Sequence, residues 1–278
     1  MPPSLSAVAL QMSSVPDVAE NMAQVEQLLS QLNPAEHTIV VLPECWAMFG
    51  GKDKAQLNIA EPLENGPIQT FLSQQAKQHS IWLVSGTIPI LSTEPGKFYA
   101  CCIVYSPDGK AVCHYNKIHL FDVQVADNTG QYLESATTTA GQHICCFDTP
   151  FGKVGVAVCY DLRFPELFRL MQSAGADVIC LPSAFTKVTG DAHWQPLLQA
   201  RAIENQVFVI AANQTGEHAN GRQTWGHSMV INSWGEVMCN QEDKVGLCQQ
   251  QINFTDLQTT REKMPNLAHR QFKVVEQL

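Results

Sequence analysis

The sequence predicts a mixed α/β domain in which sheets are covered by helices. Apolar runs of strand length alternate with helical patterns along the whole chain. Several hairpin signals interrupt that alternation, so the sheets should be mixed rather than purely parallel. With 278 residues and 45% hydrophobic content there is material for one large core. No repeat, low-complexity tract or linker divides it, so residues 1–278 read as a single domain.

The elements follow in order. Residues 8–11 are a short apolar run, and a helical pattern over 18–32 carries Met22, Val25, Leu28 and Leu29 until Asn33-Pro34 stops it. Residues 38–42 (TIVVL) read as a strand buried on both faces, running into Pro43, Glu44 and Cys45. A helix over 68–79 and a strand over 81–88 come next. Strands at 101–105 and 111–115 flank Ser-Pro-Asp-Gly, a turn signal, and should pair as a hairpin that leads into Asn116-Lys117-Ile118-His119.

From 121 to 141 the pattern fades, and so long a polar stretch inside a compact domain is usually functional or mobile. In residues 152–166 (GKVGVAVCYDLRFPE), Val154, Val156 and Val158 alternate with Gly155, Ala157 and Cys159, as in a strand. Pro165 suits the first turn of the helix that follows, and Gly175 suits its left-handed cap. Residues 177–181 are a strand, 182–194 a loop, 194–205 a helix, 207–212 a strand and 213–226 a second irregular loop. Strands at 228–232, 237–240 and 246–254 and a short helix at 256–263 complete the chain, and the tail 265–278 has no clear period.

Charge and cysteine usage limit the function. A net charge of −9, a pI near 5.4 and the lack of a basic cluster argue against a nucleic-acid partner. Several of the ten cysteines fall in apolar runs such as CCIVYS and DVICLPSA, and none form CxxC pairs, so no zinc site or thioredoxin-type motif is indicated. The N-terminal segment lacks a basic region before its apolar patch, and no apolar run approaches membrane-spanning length. A reduced cytoplasmic enzyme is the economical reading.

Three reactive side chains, Glu44, Lys117 and Cys159, each follow an apolar strand run, and strand ends are where sites collect in open α/β sheets. A thiol at a strand-to-helix junction can meet a substrate among unpaired backbone N–H groups. Taken singly, the same residues also fit a buried strand cysteine, a loop glutamate and a solvated lysine.

The segments LPECW, YNKIHLFD and GVAVCYDLRFPE resemble the three signature segments of the nitrilase (carbon–nitrogen hydrolase) superfamily. The family's Glu, Lys and Cys fall on Glu44, Lys117 and Cys159 in that order. The resemblance covers almost the whole chain. Residues 182–209 and 221–237 look like the amidase branch that acts on glutamine-like 2-oxo acids, and residues 213–229 and 264–272 look closest to the deaminated glutathione amidases. Ser233 departs from the pattern where Pro commonly precedes Trp-Gly, and His269-Arg270-Gln271 departs where a second Arg is usual.

The resemblance implies a nitrilase-like α-β-β-α sandwich of two mixed sheets flanked by helices, and pairing into homodimers or higher homo-oligomers. It implies a thiol amidohydrolase that releases ammonia from a small carboxylate-bearing amide, with deaminated glutathione first and 2-oxoglutaramate (ω-amidase) second. Cys159 would attack and form a thioester, Glu44 would carry the proton, and Lys117 with the backbone N–H of Tyr160 would hold the oxyanion. Glu134 looks like the family's additional glutamate, orienting Lys117 or the amide; it also fits a solvated loop carboxylate.

For the substrate, Arg163 is placed to clamp a carboxylate or to pair with Asp161 or Glu166, and Phe185 and Thr186 are candidates to line the pocket. His193 and Trp194 open the next helix, where packing serves as well. His218 and Arg222 are candidates for touching a larger, peptide-like substrate, or are solvated. No metal or organic cofactor is required, and no membrane partner is expected. Two rival readings remain: a catalytically idle binding module, and a papain-like site built on a Cys–His pair with His119.

Overall fold

Strand Ser4–Gln11 shows why the chain forms layers. Leu5, Ala7 and Ala9 enter one core with Val154, Val156, Ile179 and Val209, whereas Val8 and Leu10 enter another with Val25, Leu29 and Leu72. Successive side chains on a strand point to opposite faces, so one face of this sheet meets a second sheet and the other meets helices. Strand Thr38–Val41 repeats the division, with Ile39 and Val41 between the sheets and Val40 toward the helices.

The structure, a computed structural model, describes residues 4–33, 35–52 and 54–275. Its first sheet runs Gly246–Asn253, Ser4–Gln11, Thr38–Val41, Trp82–Val84, Phe98–Tyr105 and Ile88–Leu91, and Ala111–Asn116 also pairs with Phe98–Tyr105. The second runs Val237–Asn240, Met229–Ile231, Phe208–Asn213, Val178–Ser183, Gly152–Val156 and Cys145–Thr149. Both are parallel at the centre and antiparallel at the edges. Helices Val18–Leu29 and Pro67–His79 cover the first sheet, and Pro165–Ser173 and Lys187–Asn205 cover the second. This is the α-β-β-α sandwich of two mixed sheets that was expected.

Several boundaries differ from the sequence reading. The first helix ends at Leu29 with Ser30 as its cap, and Pro34 lies outside the described residues. The strand expected over 81–88 breaks into Trp82–Val84 and Ile88–Leu91. Gly86 causes the break: it has φ +66, and a Cβ there would stand 2.1 Å from the carbonyl oxygen of Pro43. The fourth major helix starts at Lys187, not near Trp194, because Gly190 sits inside it against the Trp225 side chain. Each supposed loop contains a short hairpin, Asp122–Gln124 with Gln131–Leu133 and Thr215–Glu217 with Gln223–Trp225. The tail holds a short helix, Asn266–His269.

The two sheets are also joined by a disulfide between Cys239 and Cys248, which the reading of a reduced protein did not anticipate. The other eight cysteines are free thiols. Among the described residues no helix is long and apolar enough to cross a membrane.

Candidate active site

Three strand ends converge, and each is anchored by the backbone around it. The turn after Thr38–Val41 carries Glu44, whose N–H donates to the Ser183 carbonyl and whose carbonyl accepts from Gln214 Nε2 at 3.1 Å. Cys45 follows with φ +56, and its N–H donates to Thr87 Oγ1 at 2.8 Å. Both sheets therefore hold the Glu44 turn in place.

Lys117 ends the hairpin strand Ala111–Asn116. Its N–H donates to Ala100, and its carbonyl accepts from Gly141. The side chain is only 2% exposed, yet its ammonium has three carboxylate oxygens in reach: Glu44 Oε1 at 2.7 Å and Glu134 Oε1 and Oε2 at 3.0 and 2.8 Å. Glu134 comes from the 3₁₀ turn after the Gln131–Leu133 strand and is fixed in turn by the Phe121 N–H, 2.6 Å from Oε2. The irregular stretch 121–141 thus supplies the third charge of the cluster.

Cys159 begins a 3₁₀ turn beyond strand Gly152–Val156, with φ +49. A non-glycine residue in this region is strained, and such strain collects at functional sites. Burial raises the thiol well above its ordinary pKa, and the adjacent Glu44 carboxylate raises it further while Lys117 opposes. The site therefore favours the neutral thiol beside the Glu44 carboxylate. Burial by itself would lower Lys117, but Glu134 and Glu44 hold it well above its usual value, so it stays an ammonium. Burial raises Glu134; Lys117 opposes that shift and Glu44 adds to it.

Sequence reasoning missed the residue that binds these turns together. Asp161 is fully buried, and its carboxylate accepts from Tyr115 Oη at 2.7 Å, Val158 N at 2.8 Å, His119 N at 3.0 Å and His119 Nδ1 at 2.6 Å. It ties the segment carrying Lys117 to the turn carrying Cys159. The available signal was an acid two residues after the cysteine, together with Tyr and His flanking Lys117. His119 is committed to this carboxylate and stacks on Phe164 at 3.6 Å, so it is not arranged as the partner of a Cys–His pair.

The cluster opens into a cleft of about 320 Å3. Tyr160, Arg163, Phe185 and Thr186 all line it, as does Glu134. Arg163 pairs with neither Asp161 nor Glu166; its guanidinium lies 5.8 Å from the Tyr160 ring centre and 5.5 Å from that of Phe185, and it contacts His193. Thr186 also caps helix Lys187–Asn205 through the N–H of Thr189. Trp194 is a core residue whose Nε1 donates to His227.

The two late-loop candidates separate. Arg222 lines the cleft. His218 is packed behind it, edge-on to Phe49, with Nδ1 donating to Ser14 and Nε2 accepting from the Thr224 hydroxyl. Burial lowers its pKa to about 4, so it is a neutral structural group. Cys45 also lines the cleft, but burial, together with Glu44, pushes its thiol up to about 12.

Chemically, this is a thiol, a carboxylate base and a fixed cation facing a small cleft. Those are the parts that acyl transfer from an amide requires.

The carbon-nitrogen hydrolase family pattern matches residues 6–262. The chain is 40% identical over 264 residues to the deaminated glutathione amidase of Yersinia enterocolitica, covering 95% of this chain and 92% of that one. It is 41% identical over 275 residues to the deaminated glutathione amidase of Synechocystis sp., covering 98% and 100%. The crystal structure of Saccharomyces cerevisiae Nit3, a member of branch 10 of the nitrilase superfamily, superposes with a TM-score of 0.85 at 31% identity over 97% of both chains. The chain belongs to the carbon–nitrogen hydrolase family and is a hydrolase of amide carbon–nitrogen bonds.

Proposed function

We propose that this enzyme hydrolyses amides of 2-oxo acids through a thioester on Cys159, with deaminated glutathione as its substrate. The observation that carries this reading is the buried Lys117 ammonium, held between Glu44 and Glu134 beside a strained cysteine at the cleft floor. The names of the relatives supply the substrate, and Arg163 supplies a cation for its carboxylate.

Glu44 takes the Cys159 proton as sulfur attacks the amide carbon. Lys117 and the N–H of Tyr160 stabilise the oxyanion, a contact worth roughly 3 kcal/mol per donor. The C–N bond then breaks as Glu44 returns the proton to the leaving nitrogen. Glu44 next deprotonates water, which cleaves the thioester and regenerates the thiol. Glu134 positions Lys117 and supplies a second carboxylate, so the ammonium keeps its place while Glu44 changes protonation state.

The leaving group depends on the substrate. In deaminated glutathione the scissile nitrogen carries cysteinylglycine, so that dipeptide departs. Ammonia departs only from a terminal amide such as 2-oxoglutaramate. Both reactions form 2-oxoglutarate.

The test offers purified protein both amides, with glutamine, an aliphatic nitrile and an N-carbamoyl amino acid as controls, and quantifies 2-oxoglutarate, cysteinylglycine and ammonia. A higher kcat/KM for deaminated glutathione supports the reading. The reverse order makes this an ω-amidase, and turnover of neither amide overturns the reading. We further propose a cytoplasmic homo-oligomer. Eight free thiols against one disulfide, Cys239–Cys248, support the compartment, and the exposed Val188 and Ile203 on helix Lys187–Asn205 support self-association, which sedimentation velocity measures directly.

A further inference from the structure

A side cleft of about 160 Å3 opens off the catalytic one and shares Phe49, Gln56, Phe98, Thr137, Asn220 and Arg222 with it. Arg222 stands at this junction in an unusual state for a half-buried cation. Its guanidinium stacks 4.9 Å from the Phe49 ring centre and 5.0 Å from that of Tyr132, which fixes its plane. Nη2 donates to the Ala184 carbonyl at 3.0 Å, but the buried Nε has no partner. Among the described residues no carboxylate pairs with it. A cation held this rigidly, with no carboxylate partner and an open cleft beside it, is prepared for an anion.

The position of the side cleft assigns that anion to one half of the substrate. Its wall includes Met48, Phe49 and Gln56, the segment that directly follows the Glu44 turn. In the proposed reaction Glu44 protonates the departing nitrogen, and Phe49 and Gln56 continue from the Glu44 side of the catalytic cleft into the side cleft, a path open to what that nitrogen carries. Lys52 and Lys54 line the same side cleft and add positive potential. Arg163, over Tyr160 and Phe185, lines the catalytic cleft but not the side cleft, which leaves it for the acyl half.

We propose that Arg222 and the side cleft form a leaving-group subsite that binds the terminal carboxylate of a peptidyl amine. This rests on the thiol-amidase reading above and adds to it. The enzyme recognises its substrate as a dianion, with one carboxylate on each side of the scissile bond. A terminal amide fills only the acyl half and gains nothing from Arg222.

The experiment compares deaminated glutathione with its analogue in which the glycyl carboxylate is an N-methylamide. Both are given to wild type, Arg222→Gln, Arg222→Lys and Arg163→Gln. In wild type the free acid should be favoured by about tenfold to a hundredfold in kcat/KM, mainly through KM, the range expected for a charge-assisted hydrogen bond. Arg222→Gln should bring that ratio close to one, and Arg222→Lys should retain part of it. Arg163→Gln should slow both substrates and leave their ratio standing. Because the readout is a ratio within one protein, a general loss of fold or activity cannot mimic it.

A wild-type ratio near one, or a ratio that survives Arg222→Gln, overturns the subsite. So does wild-type turnover of 2-oxoglutaramate with neither peptidyl amide cleaved, an outcome that leaves the thiol-amidase chemistry intact. Failure on every amide brings down the functional reading first and the subsite with it.

Discussion

Replacing Lys117 with methionine tests the charge cluster most sharply. In the native site one ammonium stands 2.7 Å from Glu44 and 2.8 Å from Glu134, whose side chains are 6% and 22% exposed. Methionine keeps the aliphatic length and removes the charge, leaving two carboxylates facing each other in a poorly hydrated site. Breaking a buried ion pair costs about 3–5 kcal/mol. Glu134 is the more exposed partner and can take up a proton, so we place the loss near the lower end, about 3 kcal/mol at neutral pH.

The sign of the pH dependence follows. Burial and Glu44 already raise Glu134 against the opposing pull of Lys117, and without Lys117 it rises further. The variant's native state then binds a proton that its unfolded state does not, so its stability falls as pH rises. The deficit relative to wild type should be larger at pH 8 than at pH 5. Adding Glu134→Gln removes one of the two opposed charges and should restore about 1–2 kcal/mol at neutral pH. Urea unfolding of wild type, Lys117→Met, Glu134→Gln and the double variant at both pH values provides the cycle. Activity should drop by about 10²–10³ or more in Lys117→Met and stay low in the double variant, because the oxyanion cation is gone. A Lys117→Met protein as stable as wild type, or a double variant less stable than Lys117→Met, would refute the reasoning.

Cys159→Ala should abolish turnover on every amide while leaving stability within about 1 kcal/mol of wild type, since only one buried sulfur atom at the edge of the cleft is removed; a biological effect that persists in this variant would favour the binding-module reading. Asp161→Asn removes a charge that accepts four hydrogen bonds, and should cost about 2–4 kcal/mol by urea unfolding and depress kcat more than it raises KM. His218, whose pKa burial depresses to about 4, binds its proton more weakly in the native than in the unfolded state. Stability should therefore decline as pH falls from about 6.5 toward 4, by up to about 3 kcal/mol from this group, and His218→Gln should flatten that limb of the stability curve. Each outcome is read from denaturant midpoints with unchanged m-values.

Glu44, Lys117 and Cys159 were legible as candidates because each follows an apolar strand run, although the strand expected to reach Cys159 ends at Val156 and the cysteine opens a 3₁₀ turn. The strand and helix pattern by itself reached only mixed α/β sheets, and the layered sandwich came from the resemblance of the segments around those residues to a family. Asp161 was hidden, because its role consists of contacts to Tyr115 and His119, 46 and 42 residues away. The start of helix Lys187–Asn205 was hidden by Gly190, which reads as a breaker until the Trp225 side chain is seen filling the space above it. The hairpins in 122–133 and 215–225 have three-residue strands, too short to show a period of two. His218 and Arg222 looked alike in a polar loop, and only packing against Phe49 distinguishes the buried neutral ring from the cation facing the cleft.

The measurement to make first is a rapid acid quench of the enzyme turning over deaminated glutathione, followed by mass mapping of its peptides. The mechanism predicts a 2-oxoglutaryl thioester on the peptide containing Cys159, formed together with a burst of cysteinylglycine, and neither in Cys159→Ala. Turnover that survives in Cys159→Ala, or an acyl group found on Cys45 instead, would contradict it.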